Sequence, residues 1–63
     1  MKLKIYYKGG KVSFDNVAYL PVNKLFYDSE SDVMIRIDFT KMSAQIMMDD
    51  VDITYNNVKI KME

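Results

Sequence analysis

Hydrophobic and polar residues alternate along most of this chain, and glycine, asparagine, aspartate or proline interrupts the alternation at short intervals. A period of two residues is typical of β-strands that have one face in the core and the other in solvent. Several short strands separated by turn signals are typical of a small barrel or sandwich. The pattern therefore predicts an all-β fold, a small barrel or sandwich of six or seven antiparallel strands.

The strongest turn signal is the glycine pair Gly9-Gly10, which lies inside the alternating segment 2–15. This pair is typical of a two-residue type I′ hairpin loop, because both central positions of that loop need a positive φ. The loop predicts that Ile5 lies opposite Phe14. One face of the hairpin is then apolar and the other carries lysines, and a shift of one residue would bury those lysines.

The layout of this hairpin occurs a second time over residues 35–48. A loop at Lys41-Met42 pairs Ile37 with Ile46 and places Phe39 on the inner face. Each hairpin is followed by a short acidic or amide step and another alternating segment. The sequence therefore predicts a fold built from two similar hairpin units.

The length of 63 residues predicts a single domain. Its two units are expected at about 1–27 and 33–63, with an exposed polar loop over 28–32. Helix formers are frequent over residues 41–48, so a short helix there is the alternative to a strand.

The C-terminal segment predicts a third hairpin, with a turn at Asn56-Asn57 between residues 51–55 and 58–62. The segments 12–17 and 53–58 also match each other position by position. Each contains an aspartate–asparagine or asparagine–asparagine step. Two interpretations stay open: both steps are tight turns, or both are breaks at which a strand bends.

Charge is distributed unevenly, although the net charge is zero. Residues 1–27 contain five lysines and one aspartate, a net charge of +4, and residues 28–54 contain two basic and seven acidic residues, a net charge of −5. This asymmetry produces a dipolar surface unless the charges pair across strands, which is the simpler interpretation. The absence of cysteine and of any long apolar run favours a cytoplasmic protein.

The chain contains neither histidine nor cysteine, which excludes the common nucleophile–base pairs and most transition-metal sites. We therefore expect no catalytic residues, no cofactor and no metal. The acidic residues of Asp28-x-Glu30-x-Asp32 resemble the start of a calcium loop. However, Val33 stands where that loop needs its turn glycine and Phe39 where it needs a glutamate, so a solvated loop is the better interpretation.

A short segment of the first hairpin resembles a pattern found in small phage and prophage β proteins, most of which have no assigned function. Gly10, Phe14, Asn16 and Val17 fit the pattern G-x-x-x-F-x-N-V. The second copy fits only loosely, since Met42 stands in place of the expected turn glycine. The resemblance implies an accessory protein of a mobile element and assigns no functional residues.

The leading functional hypothesis is a non-enzymatic protein that occupies or inhibits a host protein. Exposed methionines suit adaptable interfaces, and clustered carboxylates could imitate the phosphates of a nucleic acid. The candidate partner-binding residues are Asp28, Glu30, Asp32, Met34, Met42, Met47, Asp49, Asp50 and Asp52. In the alternative interpretation the methionine-bearing face packs beneath the segment 16–27 and belongs to the core.

Two other functions fit the same sequence. The first is nucleic-acid binding through an aromatic side chain among lysines, with Lys4, Tyr6, Lys8 and Lys11 as the candidate residues. The second is a structural homo-oligomer, such as a homodimer, joined by edge strands or by the methionines.

Overall fold

The computed structural model describes all 63 residues and contains eight β-strands and no helix. In chain order they are β1 (Leu3–Tyr7), β2 (Gly10–Phe14), β3 (Val17–Leu20), β4 (Leu25–Asp28), β5 (Val33–Asp38), β6 (Ser43–Met48), β7 (Val51–Tyr55) and β8 (Lys59–Met62). The all-β prediction is confirmed, with eight strands instead of six or seven. The helix alternative over 41–48 is wrong, because Ala44 and Ile46 both face the core at the two-residue period of a strand.

The strands form two antiparallel sheets, one with the order β2-β1-β8 and the other with the order β3-β4-β5-β6-β7. All neighbours within a sheet are consecutive in the chain except β1 and β8. The fold is thus an up-and-down meander in which two ladders, β2 with β3 and β7 with β8, are not formed. These two openings divide the strands into a sandwich, not a closed barrel. No helix is present that could cross a membrane.

The core lies between the two sheets, where the apolar residues of every strand converge. Its buried members are Leu3, Ile5, Val17, Phe26, Val33, Ile35, Ala44, Ile46 and Val58. A three-stranded sheet is too narrow to cover a five-stranded one, so inward-facing residues near the two edges of the larger sheet stay exposed. Tyr19 on β3 is 47% exposed and Val51 on β7 is 54% exposed.

The first hairpin forms with a register two residues from the predicted one. Ile5 lies opposite Val12 instead of Phe14, and Lys8 and Gly9 form the turn. A side chain at Gly9 would lie only 2.8 Å from the ring of Tyr7, and Gly10 enters β2 with a φ of 146°. The glycines therefore serve close packing and strand entry. A shift of two residues preserves the faces, so the predicted apolar and lysine-bearing sides are both confirmed.

The second hairpin is also displaced by two residues. Ile37 lies opposite Ala44 instead of Ile46, because the loop consists of the four residues 39–42. Phe39 belongs to this loop and is 54% exposed, so its predicted position on the inner face is wrong.

A four-residue loop of one design occurs three times in the five-stranded sheet. The loops are residues 21–24, 29–32 and 39–42. The last residue of each has a positive φ: 56° for Lys24, 56° for Asp32 and 51° for Met42. Asp38 stabilises the third loop, since its Oδ1 accepts hydrogen bonds from the backbone N–H groups of Thr40 and Lys41, both at 3.0 Å.

The predicted C-terminal hairpin is wrong, because β7 and β8 belong to different sheets. Asn57 has a φ of 55°, and the N–H of Val58 donates to the carbonyl oxygen of Met42 at 3.0 Å. This bond anchors the chain as it crosses to the smaller sheet. There β8 pairs with β1, and Ile60 lies opposite Ile5.

The matching segments 12–17 and 53–58 are the two places where the chain crosses between sheets. Their polar steps are breaks, which settles the alternative left open by the sequence. Each crossing ends on a buried valine, Val17 or Val58. Met1 also holds Val17 in place. The backbone N–H of Val17 donates to the carbonyl oxygen of Met1, and the terminal amino group of Met1 donates to the carbonyl oxygen of Val17, both at 2.9 Å.

The two similar hairpins occupy different sheets, with β1–β2 in the smaller and β5–β6 in the larger. The Asp15-Asn16 step after the first is a crossing between sheets. The Asp49-Asp50 step after the second is a tight turn within one sheet, between Met48 and Val51.

Candidate functional site

The outer face of the three-stranded sheet is covered with lysines. This surface, called the lysine face below, consists of Lys2, Lys4, Tyr6, Lys8, Lys11, Lys59 and Lys61. Tyr6 stands at its centre on β1, directly opposite Lys11 of β2 on one side and Lys59 of β8 on the other. Lys4 likewise lies opposite Lys61. Six of the nine basic residues of the chain thus surround one half-buried tyrosine.

The sequence places Lys2 and the four candidate residues Lys4, Tyr6, Lys8 and Lys11 on one face of the first hairpin, but it does not predict that Lys59 and Lys61 join them. It paired the last strand with β7, whereas the structure pairs that strand with β1. A usable signal was present, because Lys2 and Lys4 have the same two-residue spacing as Lys59 and Lys61. Nothing in the local pattern of either segment shows that the two strands are neighbours.

Glu63 neutralises one end of the lysine face. Its carboxylate lies 3.2 Å from Nζ of Lys4 and 3.6 Å from Nζ of Lys61. The hydrogen bond and the charge interaction between Lys4 and Glu63 raise the pKa of Lys4 and lower the pKa of Glu63.

These are the only salt bridges of the molecule, and Lys4–Glu63 joins β1 to the residue that follows its neighbouring strand β8. Charges thus pair across strands only here, and no salt bridge joins the lysine-rich residues 1–27 to the acidic residues 28–54. Lys8, Lys11 and Lys59 have no carboxylate partner. The centre and the turn end of the lysine face therefore combine an aromatic ring with unpaired ammonium groups.

The outer face of the five-stranded sheet has a different character. One row of cross-strand neighbours runs over all five strands: Ala18, Tyr27, Met34, Met47 and Asp52. This row is called the methionine face below. The segment 16–27 does not cover it, because that segment supplies β3 and β4 of the same sheet. The interpretation in which these methionines pack beneath the segment is therefore wrong.

Asp28 is part of the structural framework. Its side chain is 2% exposed and accepts hydrogen bonds from the backbone N–H groups of Asn16 and Ser31 and from the hydroxyl of Ser31, at 3.0, 2.9 and 2.6 Å. The hydrogen bonds from Ser31 lower the pKa of Asp28 against the opposing effect of burial. Asp28 is therefore not available for the partner-binding surface on which the sequence placed it.

The other acidic candidates are exposed and lie at or near one end of the larger sheet. Glu30 accepts a hydrogen bond from Nδ2 of Asn16 at 2.9 Å, and Asp32 accepts one from the hydroxyl of Tyr27 at 2.7 Å, which raises the pKa of Tyr27. Asp52 accepts one from Nε2 of Gln45 at 3.3 Å. The acidic residues do not converge into a group of three or more that could hold a metal ion.

The structure brings together only part of the predicted partner-binding set. Met34, Met47 and Asp52 share the methionine face, and Asp32 joins them through Tyr27. Met42 lies in loop 39–42 at the opposite end of the sheet, where its carbonyl oxygen holds Val58.

Charge is also separated along the direction of the strands. At one end lie the turns 15–16, 29–32 and 49–50, which contain five acidic residues and no basic one. At the other end lie residues 8–9, 21–24, 39–42 and 56–58, which contain three lysines and no acidic residue. The first set is called the acidic end below, and the second the lysine end.

Comparison with protein-family models, with curated proteins and with solved structures gives no match to this chain.

Proposed function

We propose that this protein is a non-enzymatic binding protein that holds a single-stranded nucleic acid on its lysine face. The observation that supports the proposal most strongly is the position of Tyr6, with Lys11 and Lys59 directly opposite it on the two neighbouring strands. Stacking of bases on an aromatic ring, with ammonium groups along the phosphates, is a recurring way to bind single strands.

The distribution of charge supports the same proposal despite the zero net charge. The molecule measures 28 × 26 × 21 Å, whereas the Debye length is about 8 Å at physiological ionic strength. Asp15 of the acidic end lies four residues beyond Lys11, about 13 Å along the chain, so salt weakens its effect on a ligand at the centre of the lysine face. Among the three hypotheses from the sequence, this one gains most from the structure, because β8 adds two lysines to the predicted four residues.

The proposal is tested by fluorescence anisotropy with a labelled oligothymidylate over a series of salt concentrations. The unpaired lysines at the centre and the turn end of the face, Lys8, Lys11 and Lys59, predict a slope of about −2 for the logarithm of affinity against the logarithm of salt concentration. The double variant Lys11→Glu with Lys59→Glu should lose detectable binding. The control, Lys24→Glu with Lys41→Glu, changes the net charge equally on loops of the other sheet and should change affinity less than about threefold.

Two results would count against the proposal. One is binding that the lysine-face variant leaves intact, and the other is an equal loss in the variant and its control. Circular dichroism of both variants establishes that a loss does not reflect unfolding.

The methionine face supports a second candidate function, the docking of a partner protein. Met34 and Met47 lie opposite each other in the middle of a sheet face that no other segment covers. The resemblance to small phage and prophage β proteins favours a host protein as that partner. If the parent chain captures a protein from host lysate, the Met47→Lys variant should no longer capture it. Equal recovery of that protein by the parent chain and by the variant would contradict this candidate.

A further inference from the structure

We propose that two copies of this chain pair through their β7 strands and form a symmetric dimer with one continuous ten-stranded sheet. Strand β7 lies at the edge of the five-stranded sheet, and four of its five residues are exposed. In an antiparallel ladder, alternate residues direct their backbone N–H and C=O groups away from the neighbouring strand. The open side of β7 therefore offers a row of unpaired groups to another strand.

The other three edges are protected against such pairing. Lysines guard β2 and β8, and the backbone of Met1 covers the start of β3 at Val17. Pro21 follows directly after β3. Strand β7 contains no lysine, arginine, proline or glycine, and its composition of valine, isoleucine, threonine and tyrosine suits a strand.

The sequence of β7 is self-complementary about Ile53. In an antiparallel pair centred there, Ile53 lies opposite the partner's Ile53, Val51 opposite the partner's Tyr55, and Asp52 opposite the partner's Thr54. Every apolar side chain meets an apolar one, and the one carboxylate of the strand meets a hydroxyl. A pair centred on Asp52 would place two carboxylates directly opposite each other, which is destabilising.

The exposed apolar surface of β7 is explained by the same pairing. Val51 is 54% exposed and Ile53 is 36% exposed on the side that faces the smaller sheet, because that sheet is too narrow to cover them. A second β7 alongside covers part of both side chains.

Electrostatics also favour the antiparallel arrangement. The acidic end and the lysine end of one copy lie at opposite ends of its strands. Antiparallel pairing places the acidic end of each copy beside the lysine end of the other, so the charges are complementary. We therefore expect the dimer to weaken as salt is added.

The pairing is tested by cross-linking, which is unusually clear in a chain without cysteine. Residues directly opposite in an antiparallel pair have Cα atoms about 4.5–5.5 Å apart, within the range of about 4.4–6.8 Å that a disulfide spans. On oxidation with diamide, Ile53→Cys should form a covalent dimer at least ten times faster than the matched control Val51→Cys. The control is on the same side of the same strand and more exposed, but the two copies of residue 51 lie about 14 Å apart.

Sedimentation equilibrium of the parent chain provides the second measurement. We expect a concentration-dependent dimer that Ile53→Lys abolishes and that Val22→Lys, at a loop residue that is 93% exposed, leaves intact. Cross-linking of Val51→Cys as fast as that of Ile53→Cys would overturn the proposal. So would a parent chain that remains monomeric at every concentration reached.

Discussion

The two sheets of this protein contribute to one core but present very different outer faces. The three-stranded sheet surrounds Tyr6 with lysines, whereas the five-stranded sheet carries Tyr27 beside a pair of opposed methionines. Inward residues of both sheets follow the same alternation, so the core pattern alone does not distinguish them. The outward residues and the strand order together therefore determine what each surface can bind.

The largest expected effect comes from removing Asp28. Its side chain accepts a hydrogen bond from Asn16, in the first of the two segments that cross between the sheets. Asp28→Ala leaves the backbone N–H groups of Asn16 and Ser31 without their buried acceptor. We expect a loss of about 3 kcal/mol in the free energy of unfolding, measured with urea. The exposed Asp50, in the turn 49–50, makes no hydrogen bond or salt bridge through its side chain, so Asp50→Ala should leave the urea midpoint almost unchanged. Equal effects of the two substitutions would show that Asp28 has no special structural role.

The same carboxylate predicts how stability depends on pH. The folded state lowers the pKa of Asp28, so folding favours its ionised form. Its stabilising contribution is therefore complete above the ordinary aspartate pKa of about 4 and is lost as the pH falls through the lower folded value. Unfolding measured at pH 7 and at pH 3 should show a smaller pH effect in Asp28→Asn than in the parent chain.

The two crossings should be equivalent in stability, because each ends on a buried valine. Val17→Ala and Val58→Ala each remove two buried methyl groups, and we expect each to lower the free energy of unfolding by about 2 kcal/mol. Thermal or urea unfolding measures both. A cost at one crossing only would mean that the matching segments 12–17 and 53–58 do not have equivalent roles.

A smaller effect should distinguish the two half-buried tyrosines Tyr6 and Tyr27. Tyr6→Leu removes the ring of the lysine face, and we expect the affinity for oligothymidylate to fall about tenfold, since stacking contributes about 1–3 kcal/mol per base. Tyr27→Leu makes the same change on the methionine face and should leave that affinity unaltered. Fluorescence anisotropy measures the affinity of both variants. A larger loss of affinity for Tyr27→Leu than for Tyr6→Leu would indicate that the nucleic acid binds the five-stranded sheet instead.

The smallest expected effect comes from Glu63, which occupies two ammonium groups of the lysine face. Glu63→Gln removes a negative charge and releases Lys4 and Lys61 for phosphate contacts. We expect the affinity to rise about twofold at low salt, with a steeper salt dependence. A decrease in affinity would indicate that Glu63 positions these lysines instead of competing for them.

Much of the fold follows from the alternation alone. The all-β class, the choice of a small barrel or sandwich, and the faces of the paired strand residues in each hairpin could be predicted, because a two-residue period assigns faces whatever the register. The predicted register differs from the observed one by two residues in both hairpins, because the register depends on how the turns pack. In the second hairpin, Asp38 accepts hydrogen bonds from the loop backbone, a contact between residues that alternation does not describe.

The candidate site could be predicted only in part, for a reason of topology. Lys4, Tyr6, Lys8 and Lys11 belong to one hairpin and are placed together by local sequence. Lys59 and Lys61 join them only because β8 crosses to the other sheet and pairs with β1. That crossing depends on the burial of Val58 and on its bond to Met42, both of which are long-range contacts. The burial of Asp28 was also not predicted, because the residues that follow it in the sequence, 29–32, are all polar.

Backbone amide NMR of the isotope-labelled protein, titrated with oligothymidylate, reports on both sheets in one experiment. Binding on the lysine face should give chemical-shift changes concentrated at Tyr6, Lys11 and Lys59, with the amides of Met34 and Met47 almost unmoved. A spectrum that does not change, or changes confined to the five-stranded sheet, would rule out binding on the lysine face.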